Sequence, residues 1–251
     1  MDNKERFTKK VNNYVKYRPT YPQELIDYLF TDLGFSNNSI IADIGAGTGI
    51  LTRLLADRVK TLYAIEPNKN MREACKKSCK NFKNVITIDG SAEDTTLMDN
   101  SIDFITVAQA FHWFDEINCL KEFKRILKPE NNVVLIWNRK DNEDPSVQEN
   151  SELCKKYCPD FKEVAGNSKI SPDNYKDLFK NKICKYKVFD NDLILTLESY
   201  IGGTLSSSYA PLGNDPNYQD FIDELTALFH KYSNQGKLLV KSKTHSYAGQ
   251  I

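Results

Sequence analysis

Between Ile40 and Asn138, short β-branched runs alternate with segments of helical periodicity, and no other feature of the chain so narrows what it can fold into. SIIADIG, TLYAIEP, NVITIDG, SIDFITVAQ and NNVVLIWN read as strands; TGILTRLLADRV, NKNMREACKKSCKNF and DEINCLKEFKRILK, lying between some of them, read as amphipathic helices. Strands separated by helices pair in parallel and carry helices on both faces of the sheet. Right-handed crossovers then put a ligand crevice at the carboxyl ends of the strands. At 251 residues the chain exceeds the commonest domain size yet fits one α/β domain with an elaboration.

The flanks read differently. Arg18-Pro19 and Tyr21-Pro22 break any helix, because the residue before a proline is pushed out of the α region. A helical arm, a kink and a helix from about Gln23 to Leu33 are expected there. After Asn138 the text is polar and turn-rich; strand character returns near KICKYKVFDNDLILTLE, and GKLLVKSKTHSYAGQI ends in alternating strand text. The expected organisation is a single domain. It has an N-terminal arm (1–38), a core (39–138), caps at about 139–182 and 198–236, and a C-terminal strand at about 237–251.

Lys+Arg and Asp+Glu both number 34, so no charge excess argues for a nucleic-acid or membrane partner. The start, MDNKERFTKK, is polar from its first residue, and the longest unbroken apolar run, Val133 to Trp137, falls far short of the roughly twenty residues a bilayer span needs. A soluble, cytoplasmic protein is expected. Six cysteines include the i,i+4 pairs Cys75/Cys79 and Cys154/Cys158, with none of the CxxC or clustered histidine spacing of a metal site, so reduced structural thiols and no metal are expected.

ADIGAGTG, Ala42 to Gly49, sits where the first strand meets the first helix. Glycines at 45, 47 and 49 let the backbone turn tightly and approach a ligand, and the helix that follows offers free N–H groups. The dinucleotide fingerprint GxGxxG needs a third glycine at position 50, which is Ile50; this argues against a nicotinamide-dependent oxidoreductase. The second strand ends in Glu66, 17 residues past Gly49, where an acid can accept hydrogen bonds from both hydroxyls of a ribose.

With these residues in view, the chain resembles the class I S-adenosylmethionine-dependent methyltransferases of small-molecule type, the trans-aconitate methyltransferase-like group, over nearly its whole length. ADIGAGTGILT resembles the family's cofactor loop, AIEPN its ribose acid, and DGSAEDTTLMDNSIDFITVAQAFHWF its adenine turn and fourth strand. YVKYRPTYP and LSSSYAP resemble flanking segments of one subgroup. The resemblance implies a doubly wound, Rossmann-like, mostly parallel seven-stranded sheet with its last strand antiparallel and helical cap insertions. It implies S-adenosyl-L-methionine as cofactor and S-adenosyl-L-homocysteine as product. Asp43 would hold the loop or the methionyl amine, and Gly45, Ala46, Gly47, Thr48 and Gly49 would line the methionine moiety. Glu66 would take the ribose, Pro67 and Met71 would cover the adenine face, and Ser91, Ala92 and Glu93 would border its edge. Tyr14 and Arg18 in the arm would close over the cofactor, Arg18 pairing with its carboxylate.

VAQAFHWF, taken as the end of the fourth strand, puts Gln109 to Trp113 beside the reacting methyl, with Phe111, His112 and Trp113 in the substrate pocket. Methyl transfer from a sulfonium is an in-line displacement on an already activated carbon, so the protein chiefly aligns the acceptor and excludes water. A base is needed only for an acceptor that arrives protonated; His112 is the candidate, as base, as substrate orienter, or as a packing residue. Arg139 at the crevice rim and Tyr209 in TLSSSYAP complete the substrate candidates. The acceptor is expected to be a small molecule reacting through O, N or C, a carboxylate among them. A cofactor-binding protein without turnover and a nucleic-acid methyltransferase are the remaining alternatives, and AQAF stands where the latter usually carries an acidic or Asn-Pro-Pro motif.

Overall fold

Ile40 to Ile44 is an interior strand of the sheet, apolar but for Asp43 and largely buried. In the computed structural model, which describes residues 15–161 and 175–251, this strand (β1, Ile40–Ile44) pairs in parallel with β2 (Thr61–Ile65) on one side and β4 (Ile102–Ala108) on the other. The described residues divide into two compact units: 20–137, 175–189 and 244–251 form the sheet unit, and 15–19, 138–161 and 190–243 form the other.

In the sheet unit, α1 (Gln23–Thr31), β1, α2 (Ile50–Ala56), β2, α3 (Lys69–Ser78), β3 (Val85–Ile88), β4, α4 (Glu116–Ile126) and β5 (Leu127–Lys140) follow the expected alternation. Later in the chain β6 (Lys185–Asp190) and β9 (Ser242–Gly249) complete a seven-stranded sheet in the order β3-β2-β1-β4-β5-β9-β6, mostly parallel with one antiparallel strand toward its edge. Two apolar clusters cover its two faces. One gathers Ile44, Ile65, Val107, Phe123, Trp137 and Tyr247, the other Leu25, Leu29, Leu51, Leu55, Leu62 and Ile136. The order matters for function: β1 and β4 are neighbours although two helices and two strands separate them in sequence, so their carboxyl-end turns lie side by side.

The other unit contains α5 (Pro145–Tyr157), β7 (Leu193–Leu195), α6 (Leu197–Leu205), α7 (Tyr218–Tyr232) and β8 (Leu238–Val240). Its own core is built on Cys154, Tyr200, Phe221, Leu225, Phe229 and Val240, and β7 pairs antiparallel with β8. Asp144 caps α5 by accepting from Ser146 N, and Thr196 and Ser199 cap α6 reciprocally. Among the described residues no helix is long and apolar enough to cross a membrane.

Candidate functional site

The glycine turn follows β1 directly. All three glycines take left-handed backbone, with φ of 70° at Gly45, 58° at Gly47 and 80° at Gly49, but for different reasons. A Cβ on Gly45 would lie 2.5 Å from the Ala110 Cβ and 3.2 Å from the Phe114 ring; one on Gly49 would lie 2.8 Å from the Cys75 sulfur. These two glycines serve packing. Nothing lies within 4 Å of the point a Cβ on Gly47 would occupy, so this one faces open space.

Beneath the turn Asp43 is buried and accepts hydrogen bonds from Thr52 Oγ1 at 2.6 Å and Thr106 Oγ1 at 3.0 Å, tying β1 to α2 and β4. Burial pushes its carboxyl up to about 6, against the hydrogen bonds of those hydroxyls. The loop-holding role is the one these contacts perform. Thr48 Oγ1, at the head of α2, is buried without a hydrogen-bond partner.

Glu66 ends β2 and reaches back to the turn: its Oε2 accepts from Gly47 N at 2.9 Å and its Oε1 from Asn68 N at 2.8 Å. These two backbone bonds fix the orientation of the carboxylate beside the turn. Asn68 caps α3, accepting from Asn70 N and Met71 N. Arg72, absent from the candidates read in the sequence, donates to Glu66 O at 2.7 Å and Pro67 O at 3.2 Å and pairs with Asp89 at 2.7 Å. Its signal in the sequence was faint: a cation four residues past a helix cap, six past the acid. Met71 is buried on the inner side of α3, and Pro67 is exposed.

The 91–95 turn is fastened mainly by its neighbours on α4. Ser91 Oγ accepts from Glu93 N and Asp94 N, both at 3.2 Å, and Ala92 is buried. Glu93 Oε1 accepts from Asp115 N at 2.9 Å, joining the turn to the head of α4. Glu122, also unanticipated, takes Thr95 N at 2.9 Å and Thr95 Oγ1 at 2.6 Å while Arg125 grips both its oxygens; Arg125 first, then Thr95, holds its carboxyl down at about 2.

The fourth strand is shorter than expected. It stops at Ala108 because Gln109 adopts φ of 57°, and Gln109 N then bonds to Ile136 O at 2.9 Å. Phe111–Trp113 is therefore a 3-10 turn beyond the strand, correcting the expectation that VAQAFHWF is the strand end itself. Phe111 turns inward and is buried, whereas His112 is exposed. The imidazole lies between two indoles, with ring centres 4.6 Å from Trp113 and 5.3 Å from Trp137. Trp137 is stacked near Tyr175 at 6.4 Å and 16°, Tyr175 touches Phe111 at 6.0 Å, and Tyr247 lies 5.0 Å from Tyr175. Trp137, Tyr175 and Tyr247 were not among the candidates, since each comes from a different stretch of chain.

Arg18, Arg139 and Tyr209 belong to the other unit. There Arg18 Nη2 donates to Ser206 O at 3.4 Å, Arg139 O accepts from Ser242 Oγ at 2.9 Å, and the Tyr209 ring packs 4.8 Å from Phe161. Burial raises the Tyr209 phenol. Tyr14 lies outside the described residues.

Residues 42–135 match a family model described as a methyltransferase domain. An uncharacterized methyltransferase of Schizosaccharomyces pombe is 36% identical over 151 residues, 60% of this chain and 59% of the relative. One of Mycobacterium tuberculosis is 34% identical over 147 residues, 59% of this chain and 58% of the relative. The match thus spans somewhat under two thirds of these relatives. Among solved structures, one from Anaeromyxobacter dehalogenans superposes with a TM-score of 0.66 at 18% identity, covering 93% of this chain and 98% of that one. A SAM dependent methyltransferase from Aquifex aeolicus gives 0.54 at 20% identity, covering 76% and 93%. At these identities the structures show the fold.

Proposed function

We propose, from the match of residues 42–135 to a methyltransferase domain, that the chain transfers a methyl group from S-adenosylmethionine to a small-molecule acceptor. The observation that carries the reading is the open space at Gly47 beside the Glu66 carboxylate, its Oε2 held 2.9 Å from Gly47 N. The residues present fit the cofactor. Thr48 Oγ1 is a buried hydroxyl awaiting a partner, Gly47 leaves room for the methionyl backbone, and the Glu66 carboxylate beside it is the acid that would take the ribose hydroxyls.

S-adenosylmethionine, when bound, supplies a sulfonium methyl activated for in-line displacement. Everything else falls to the chain. Asp43 keeps the turn in register with β4, and Arg72 holds the Glu66 and Pro67 carbonyls; Met71 and Pro67 would hold the adenine, with Ser91, Ala92 and Glu93 at its edge. His112, exposed on the turn after β4, orients the acceptor and takes its proton when the acceptor is a hydroxyl, an ammonium or a carbon acid. Aromatic walls at Phe111, Trp113 and Trp137 exclude water from the reacting pair. A cytosolic setting is supported by six cysteines that are all free, and the balanced charge favours a small acceptor over a nucleic acid.

Calorimetric titration with S-adenosylmethionine, S-adenosylhomocysteine and NADH in parallel tests the reading. Micromolar binding of the first two and none of NADH is expected. Binding of NADH alone, or of none of the three, overturns it.

A further inference from the structure

Two thiols converge on the back of the glycine turn. A Cβ on Gly49 would lie 2.8 Å from the Cys75 sulfur and 3.3 Å from the Cys79 sulfur, so both press on the residue that caps α2. Cys79 closes α3, its N–H bonding to Cys75 O at 2.9 Å, and the Ser78 hydroxyl is shared by Cys75 O and Thr48 O, each 2.9 Å away. The last turn of α3 thus holds the Thr48 carbonyl from behind. Both thiols are buried, and Cys75 donates to the Cys79 sulfur, which holds Cys75 up and draws Cys79 down toward the thiolate.

Methyl transfer makes no use of this pair, and a disulfide does not fit it as it stands. Residues four apart in a helix have Cβ atoms about 5–6 Å apart, whereas a disulfide needs about 3.5–4.5 Å. The bond closes only when the last turn of α3 opens, and helix ends are where opening is easiest. An intact turn with a dithiol and an opened turn with a disulfide are therefore alternatives.

We propose that Cys75 and Cys79 are a modification site for peroxide, an oxidisable dithiol whose disulfide form draws Ser78 off the Thr48 carbonyl and loosens the Gly45–Gly49 turn. The Cys79 thiolate displaces hydroxide from hydrogen peroxide and becomes a sulfenic acid. The Cys75 thiol attacks that sulfur, the S–O bond breaks, and the hydroxyl leaves with the Cys75 proton as water. The dithiol gives up the two electrons that the peroxide takes. The site stands apart from the methyltransferase reading; only its effect on cofactor affinity rests on that reading.

The test treats the whole protein with hydrogen peroxide, blocks remaining thiols with N-ethylmaleimide and digests it with trypsin. Cleavage at Lys76 and Lys77 parts Cys75 from Cys79, so their disulfide is read as a linked pair of peptides. That pair is expected to form, with faster amide exchange across Gly45–Gly49 and S-adenosylhomocysteine bound roughly tenfold more weakly; dithiothreitol is expected to reverse all three. Cys79→Ser is expected to lose the link and the exchange response together. Absence of the pair in the wild type, a link confined to Cys154 and Cys158, a Cys75–Cys79 link with unchanged exchange across the turn, or an exchange response that persists in Cys79→Ser overturns the proposal. The wild-type peptides and exchange decide the matter even should the variant fold poorly. Failure of S-adenosylhomocysteine to bind the reduced protein is the separate failure of the cofactor reading, and the link and the exchange are read without it.

Discussion

The polar side of the site and its aromatic side are built in opposite ways. On the polar side, Asp43, Gly47, Glu66 and the 91–95 turn come from adjacent strand ends, and their side chains are already engaged with backbone and hydroxyl groups of the same region. On the aromatic side, Phe111, His112, Trp137, Tyr175 and Tyr247 come from segments as much as 136 positions apart, touch through ring faces, and include a donor with no partner. A region tied by hydrogen bonds between its own strand ends holds its shape before a ligand arrives; one held by ring contacts is specified by shape. The first suits a fixed cofactor. The second suits a ligand recognised by its shape.

Five substitutions probe that contrast, beginning with the largest effect. Gly45→Ala should be among the most damaging single changes on the polar side, because left-handed strain of ~1–2 kcal/mol adds to overpacking of ~1–3 kcal/mol where the new Cβ meets Ala110 at 2.5 Å. Gly47→Ala carries the strain alone, so urea denaturation should separate the two glycines; equal losses would mean that Gly47 is as enclosed as Gly45.

Asp43→Asn bears on pre-organisation through pH. Burial raises the Asp43 carboxyl from 3.8 to about 6 in the folded protein. Its contribution is therefore fully present below 3.8 and lost as pH rises through about 6, since the folded state must then hold a buried charge. Relative to wild type, the variant should gain about 2–3 kcal/mol between pH 3.5 and 7. A stability difference that does not change with pH would show the carboxylate to be better solvated than its burial implies.

Glu66→Ala should weaken S-adenosylhomocysteine by about 1.5–3 kcal/mol, roughly 10- to 150-fold. It also strips the acceptor from Gly47 N and Asn68 N. Calorimetry at matched stability distinguishes the lost ribose contact from a loosened loop, and an unaltered dissociation constant would move the ribose elsewhere. Smallest on the cofactor is His112→Ala, which should change that affinity by less than about 0.5 kcal/mol while lowering turnover on the true acceptor. A large loss of cofactor affinity would erase the division between the two sides.

Much of the polar side was legible because its logic is local. Gly45 to Gly49 and Glu66 fall at strand ends whose spacing follows from βαβ geometry, and the structure brings Glu66 and Gly47 within one hydrogen bond. The same text did not separate the glycines by role, since Ala110 and Cys75, which make Gly45 and Gly49 necessary, are remote in sequence. Arg72 and Glu122 escaped notice for a related reason: each looks like one more charge on an amphipathic helix until its carbonyl or turn partner is placed. His112 was found as a residue and misplaced as an element, because nothing in QAFHW announces that Gln109 turns left-handed and ends the strand.

By itself, then, the sequence determined the alternation of strand and helix, the glycine turn and the acid beyond the second strand, since periodicity and turn chemistry act over a few residues. Tertiary structure alone decided which glycine is open, which charges are clamps, and which rings surround His112. Those properties depend on what lies opposite a side chain across the sheet ends, and a linear text carries that only through the packing of the whole core.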